Sequence, residues 1–506
     1  MKQISYIIAA VMLCFAHYAD AQDLQGVLSR SFDHKGVNYE KGSTVSYFYY
    51  VSPEAEKDSC ALYVLFERKP GFIPVIESLK DEGFMPEGIT ISVSSGYIKS
   101  DYDDSLYRKL RPEEFDQNGP DFANLVVEEI IPKAIADAGV AVSTDPDKHF
   151  VMGRSSGGHL AWNALWYRND FFHRGFLSSP TFSAMRGGEE SMVLARKTEP
   201  RPIQVFITSG TVEPDYYFGD SFYAACNAAD ALKYAGYDVE FELYPNGGHC
   251  CNSEDYETWK RAMTWMFSKD KVIVPGRSER FLSVVPEGSA WEEAAVTAMP
   301  AHRSLKTEKA VYSVRKGKLK VAPAKGKSMV LDDLSDISAI GISSDMWRLY
   351  VADKSRRFIY TYYLDSLGMP DFQYKLAPLH LAHDCRIIGG TDLCVTTDDR
   401  VFVATELGVQ GIRSYGLTDI ILPLPGDVPA SKVWMEEDWL YAQSKDRVTF
   451  RRKVKATAHD GVTPVNPLDV NADSANYYDE GCRKQRPHFK TIFSKFETGK
   501  SIIKEN

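Results

Sequence analysis

Seven short apolar runs recur through the first half of the chain, at residues 45–51, 61–67, 89–93, 149–152, 176–178, 203–208 and 239–244. Several lack the alternation of a half-exposed strand. They read as strands covered on both faces, the mark of a buried parallel sheet. Between them, residues 122–138, 223–235 and 256–267 carry apolar side chains at helical spacing. A shorter helix-like stretch follows residue 158. Strands alternating with helices predict a doubly wound, mostly parallel α/β sheet, which places one domain at residues 22–268.

The pattern changes after residue 268. Residues 269–289 contain Val274-Pro275-Gly276 and Pro286-Glu287-Gly288-Ser289 with charges between, and read as a linker. Beyond it helical spacing is scarce. Short strands are predicted at 310–314, 349–351, 358–363, 401–404, 420–424, 440–442 and 448–451, separated by Asp, Gly and Ser turns. This predicts an all-β module at 290–456, propeller-like or sandwich-like. Residues 457–506 are rich in Asn, Asp and Lys and read as a loosely packed tail.

A chain of 506 residues has room for two or three domains with a large core. Its net charge of −10 argues against a broad nucleic-acid or anionic-membrane surface. The start is a transport signal. Met1-Lys2-Gln3 is positive, residues 4–15 are mostly apolar, and Ala19-Asp20-Ala21 is a small-x-small cleavage site. Residues 1–21 are therefore expected to be a signal peptide, and the mature protein to be periplasmic or extracellular. The run is too short to span a membrane, and Leu13 before Cys14 disfavours lipoprotein processing. Export permits disulfides. Seven of the eight cysteines lie beyond Ala21, and their spacings match no zinc site. Cys250-Cys251 is expected to help staple its loop, with Cys226 as one candidate partner; the pairing itself stays open.

Chemistry concentrates at Gly153-Arg154-Ser155-Ser156-Gly157. It follows the apolar run at 149–152 and precedes the helix-like stretch, which is the context of a nucleophile elbow. A Gly/Ser turn that merely caps a helix is the plain alternative. In an elbow the serine hydroxyl is exposed, and the next N–H, here Ser156, sits at a helix N-terminus where it can meet an oxyanion. An elbow serine needs a base and an orienting acid, in the chain order Ser, acid, His. The acid should follow residues 203–208. Glu213 is the first candidate, then Asp215 and Asp220. The base should follow the last strand, where Pro245-Asn246-Gly247-Gly248 leads to His249. A second oxyanion donor should come from the loop after 61–67, among Glu67, Arg68 and Lys69, with Arg68 the central candidate. His159 reads as a packing or substrate-edge residue. Tyr97, Tyr102, Tyr216, Tyr217 and Phe218 are candidates to line an aromatic or sugar site. The reaction requires no cofactor.

These residues resemble a known family. Gly153-Arg154-Ser155-Ser156-Gly157-Gly158 is similar to the elbow of esterase D-type esterases, which include enterochelin-esterase-like enzymes and carbohydrate esterases. Arg186-Gly187-Gly188, Arg196-Lys197-Thr198-Glu199-Pro200-Arg201-Pro202-Ile203, Ala235-Gly236-Tyr237-Asp238 and Gly248-His249 extend the likeness over residues 45–268. It implies an α/β-hydrolase fold and a serine carboxylesterase with Ser155, His249 and Glu213 as triad. The implied substrate is an acylated carbohydrate or a phenolic (feruloyl or acetyl) ester. The alternatives are a siderophore ester, or a glycan-binding protein with a vestigial esterase. Glu67-Arg68 departs from the family, where a Gly-containing turn is common.

In the second half, Arg348-Leu349-Tyr350-Val351-Ala352-Asp353 and the stretch from Asp399 to Gln410 resemble blades of SMP-30/gluconolactonase-like propellers. The resemblance holds over residues 340–455 and implies that earlier blades are shortened or missing. That family holds a divalent metal with Glu, Asn and Asp. Here Ser338 stands at the Asn position and Thr391 at the Asp position, with Asp392 adjacent. Glu292 and Glu293 match the Glu only vaguely. The implied module is metal-free and without lactonase activity.

Overall fold

The structure, a computed structural model, describes residues 30–33, 43–67, 71–103, 105–296, 302–383 and 385–456. The segments read as signal peptide (1–21) and tail (457–506) lie outside the described residues, as do Arg68 and Lys69. The chain divides into two units at Phe281/Leu282, with Ala382–Asp384 grouped with the first. The division falls inside the stretch read as a linker. In the second unit Val284 and Val285 are buried, and the Val284 carbonyl accepts the Lys455 N–H at 2.7 Å.

The first unit is built on a ten-stranded mixed sheet. Its strands are β1 (Arg30–Asp33), β2 (Thr44–Val51), β3 (Ala61–Phe66), β4 (Gly88–Val93), β5 (Tyr97–Lys99), β6 (Tyr107–Lys109), β7 (His149–Arg154), β8 (Arg174–Ser178), β9 (Gln204–Gly210) and β12 (Asp238–Tyr244). A separate hairpin pairs β10 (Asp215–Tyr216) with β11 (Gly219–Asp220). The order is β12-β9-β8-β7-β3-β4-β2-β5-β6, with β1 beside β2. From β12 to β4 every pairing is parallel, and β2, β1, β5 and β6 join antiparallel at one edge. Six of the seven predicted strands form the parallel part, while the one predicted at 45–51 is β2 and lies antiparallel to β4, because it belongs to the antiparallel edge of a sheet that is mixed. In the edge hairpin β6 is exposed and β5 is a three-residue strand with Tyr97 and Ile98 half-buried, too short to carry an apolar pattern.

Alternate residues of one strand feed opposite cores. Leu62 and Val64 of β3 pack with Val126, Ile130, Leu160 and Trp162 on one face. Tyr63 and Leu65 pack with Phe72, Trp259 and Met263 on the other. Helices thus cover both sides of the sheet, which is why these strands read as unbroken apolar runs. Fully burying each such side chain contributes about 1.5–3 kcal/mol. The predicted helix at 122–138 is present but contains a π-helical turn, Val126–Ile130, directly before Ile131–Ala138. Pro132 is the cause. It has no N–H, and its ring would clash with the carbonyl four residues back, so the helix widens there.

Among the described residues the second unit holds four four-stranded antiparallel sheets in a propeller-like arrangement. The first comprises Ser304–Lys306, Ala310–Arg315, Lys318–Pro323 and Met329–Leu331. The second comprises Ile337–Ile342, Arg348–Asp353, Phe358–Leu364 and Pro370–Pro378. The third comprises Asp392–Val395, Val401–Thr405, Gly408–Ile412 and Thr418–Leu422. The fourth comprises Ala430–Glu436, Trp439–Ser444 and Thr449–Lys453, completed by Glu292–Glu293 from the start of the unit. Before residue 340, where blades are expected to be shortened or missing, one four-stranded sheet is present, and the four sheets described remain fewer than the six blades of the family ring. Lys318–Pro323 interleaves lysines with Leu319 and Val321, so it reads as polar although both apolar side chains are fully buried.

The positions compared with metal ligands hold sheets together. Ser338 Oγ donates to the carbonyls of Gly390 (2.6 Å) and Ala352 (3.2 Å). Thr391 Oγ1 donates to those of Ala404 (3.2 Å) and Ala430 (3.3 Å). The buried Asp392 carboxylate accepts the N–H groups of His302 (3.1 Å), Leu393 (3.1 Å) and Val433 (3.2 Å), linking the first, third and fourth sheets. Glu292 pairs with Arg451 at 2.7 Å. Among the described residues no helix is long and apolar enough to cross a membrane.

Candidate active site

The turn after β7 has an uncommon backbone. Ser155 stands at φ 53°, ψ −121°, between β7 and the helix Ser156–Tyr167. Such a positive φ is costly for a residue with a Cβ and marks a site held by its surroundings. The flanking glycines are required by contact. A Cβ on Gly153 would lie 1.9 Å from the Gly157 carbonyl oxygen, and one on Gly157 would lie 2.4 Å from that of Phe66. Ser155 is anchored through its own backbone. Its N–H donates to the Ser178 carbonyl at 2.9 Å, and its carbonyl accepts the Thr181 N–H at 3.2 Å.

The loops after β9 and β12 meet beside this turn. The Thr211 N–H donates to Tyr244 O at 3.1 Å, and the Val212 N–H to Gly247 O at 2.9 Å. Gly210 lets them touch, since a Cβ there would sit 2.1 Å from Gly247 O. This contact sets Glu213 against His249. Glu213 Oε2 lies 2.5 Å from His249 Nδ1, with the carboxylate fully buried and the imidazole one-third exposed (33%). Glu213 Oε1 accepts from Ser179 Oγ (2.5 Å) and the Gly210 N–H (3.3 Å). Burial alone would raise the Glu213 pKa. The hydrogen bonds from His249 and Ser179 overcome it and hold the carboxyl below its ordinary range.

His249 is pushed up to about 10, first by the Cys250 side chain beside it and next by the Glu213 carboxylate, against its partial burial. An ordinary imidazole titrates near 6.5, and these neighbours move His249 upward. Among the described residues no hydrogen bond joins the Ser155 hydroxyl to His249. Apo sites often keep this contact long and tighten it around substrate.

The two weaker acid candidates separate from Glu213. Asp215 is exposed on the β10–β11 hairpin. Asp220 caps the helix Ser221–Tyr234, accepting the N–H groups of Phe222 (2.8 Å) and Tyr223 (3.0 Å). Ser156 opens the helix behind Ser155, so its N–H belongs to the first turn. The other oxyanion candidate, Arg68, falls outside the described residues. Neighbouring Glu67 faces Arg154 at 3.6 Å. His159 is fully buried, T-shaped against Phe182 at 5.9 Å, and pushed down to about 4 by burial, so it stays neutral. Tyr216 and Tyr217 are exposed on the hairpin that follows Glu213, with Phe218 stacked on Tyr216 at 4.7 Å. Among the described residues Cys226, Cys250 and Cys251 make no disulfide, so the candidate pairing with Cys226 is not present, and Cys482 lies outside the described residues. The Cys250 Sγ instead lies 3.9 Å from the Ser178 carbonyl.

One residue of this constellation carried no sequence signal. Ser179 follows β8, is buried at φ 43°, and touches both Glu213 and the loop of His249.

No protein-family model matches the chain, and no curated protein matches it. Solved structures are similar over about half of it. The enterobactin esterase of Shigella flexneri, crystallised with 2,3-dihydroxy-N-benzoyl-glycine, is 16% identical over 47% of this chain and 60% of its own, with a TM-score of 0.36. A ferulic acid esterase is 17% identical over 47% of this chain and 95% of its own, with a TM-score of 0.33. The BES protein of Bacillus cereus is 15% identical over 47% and 94%, with a TM-score of 0.33. The chain thus spans about three fifths of the length of the enterobactin esterase.

Proposed function

We propose that the first unit is an α/β-hydrolase domain and that the protein is an exported serine carboxylic-ester hydrolase. The observation that carries this reading is the buried Glu213 carboxylate 2.5 Å from His249 Nδ1, on loops that close beside the strained turn of Ser155. In this reading Glu213 holds the imidazole with Nδ1 protonated, leaving Nε2 as the base. His249 takes the Ser155 proton as Oγ attacks the ester carbonyl. The tetrahedral oxyanion forms at the helix N-terminus, where the Ser156 N–H donates, with Arg68 proposed for the second donor. The imidazolium then gives its proton to the departing alcohol, and water releases the acyl group by the same steps reversed. The raised His249 basicity favours the imidazolium that each step creates, and it narrows the pH range in which the free base is present.

The substrate we propose is an acylated carbohydrate or a phenolic ester. This part rests on the likeness of the elbow and the Gly-His loop to carbohydrate esterases, and export rests on residues 1–21. The test is a panel of acetyl-sugar, feruloyl and methyl esters together with a catecholate trilactone. Turnover of the acyl-sugar or feruloyl esters supports the proposal. Preference for the trilactone would replace the substrate class with a siderophore ester. Glycan binding without hydrolysis of any activated ester would replace catalysis with recognition.

A further inference from the structure

We propose that Ser179 is a positioning residue of the triad, acting on Glu213 and on the loop of His249 at once. The inference rests on the triad reading above. Ser179 is buried and fixed at both ends. Its backbone φ is 43°, in the left-handed region, and its N–H donates to the Thr208 carbonyl at 2.8 Å. Its hydroxyl meets two groups whose roles leave no choice of direction. The Cys250 N–H can only donate, and reaches Ser179 Oγ at 2.9 Å. The Glu213 carboxylate can only accept, and lies 2.5 Å from the same oxygen. Ser179 therefore accepts from the base loop and donates to the acid.

The consequence is geometric. With Oε1 engaged by Ser179, the carboxylate plane is turned so that Oε2 faces His249 Nδ1. The preceding residue completes the junction, since the Ser178 carbonyl receives the Ser155 N–H at 2.9 Å. Nucleophile, acid and base loops are thus all tied to the dipeptide Ser178-Ser179 at the carboxyl end of β8. A hydrophobic or small replacement would leave the Cys250 amide and one carboxylate oxygen without this partner. An unmade hydrogen bond to a charged group corresponds to a loss of roughly 10- to 150-fold.

The experiment compares Ser179→Ala and Ser179→Thr in the full chain on p-nitrophenyl acetate, each also combined with Glu213→Ala. Ser179→Ala should lower kcat by about 10- to 150-fold with KM changed less than about threefold. Ser179→Thr keeps the hydroxyl but sets a β-branched side chain at positive φ, so it should retain several-fold more kcat than Ser179→Ala without matching wild type. In the Glu213→Ala background Ser179→Ala should cost less than about threefold more, since the two act as a unit. A full additive loss in that background, or kcat above half of wild type in folded Ser179→Ala, would overturn the proposal. A second readout needs no turnover: the low-field NMR resonance of the His249 Nδ1 proton. It should shift or vanish in Ser179→Ala and persist in Ser179→Thr. An unchanged resonance in Ser179→Ala overturns the positioning role even if the protein is an active esterase. A shifted resonance in a protein that hydrolyses no ester upholds positioning and rejects the ester-hydrolase reading.

Discussion

Replacing Glu213 by Gln removes one charge and keeps the shape of a fully buried side chain. Two effects follow. The amide can turn its NH₂ toward Nδ1, which forces the imidazole into the wrong tautomer, with the proton on Nε2. That defect costs about 10³- to 10⁴-fold in kcat in triads of this design. The second effect is on basicity. His249 stands at about 10 in wild type because Cys250 and then Glu213 favour the imidazolium. Removing the Glu213 charge lowers that value, so the rising limb of kcat/KM should move to lower pH, toward the ordinary 6.5. Wild type should still be gaining activity above pH 8. The sign for stability is the same. A folded-state pKa raised above 6.5 contributes stability that is fully present below pH 6.5 and fades as pH rises toward about 10. Wild-type melting temperature should therefore fall across that window more steeply than that of Glu213→Gln. The assay is hydrolysis of p-nitrophenyl acetate from pH 5 to 10, with melting curves on the same samples. A Glu213→Gln enzyme within tenfold of wild type, with an unmoved limb, would refute the reasoning.

Two further changes test the scaffold. Gly153→Ala would place a Cβ 1.9 Å from the Gly157 carbonyl oxygen, an overlap with backbone that cannot give way, so the variant should lose more than about 4 kcal/mol or fail to fold; soluble yield and denaturant midpoint check this. Asp392→Ala would strip partners from the N–H groups of His302, Leu393 and Val433, and should destabilise the second unit by about 3 kcal/mol or more, read as a lowered second-unit transition in calorimetry.

The parts of the candidate site that lie in local patterns stand out in the chain. Ser155 is flanked by two glycines between a strand and a helix, and His249 follows two glycines after the last strand. Glu213 differs from Asp215 and Asp220 in its burial and its contact with His249, which depend on how the loops after β9 and β12 meet. Ser179 was invisible because its role comes from one backbone angle and from partners 34 and 71 positions away. The upward shift of His249 was hidden for the same reason, since an adjacent cysteine in sequence does not reveal whether its side chain faces the imidazole. In the second unit, strands with apolar cores such as Val401–Thr405 announced themselves. Lys318–Pro323 and the two-residue strand Glu292–Glu293 did not, because lysines masked one and the other is too short to carry a period.

The central claim is that Ser155 is a nucleophile activated by His249 and Glu213. Treatment of the intact protein with a serine-directed alkyl phosphonate, followed by peptide mass mapping, tests it most directly. A single adduct on Ser155 is expected, absent in Ser155→Ala and formed at least about 10³-fold more slowly in His249→Ala. An adduct on a different serine, or labelling of Ser155 at an unchanged rate without His249, would contradict the account.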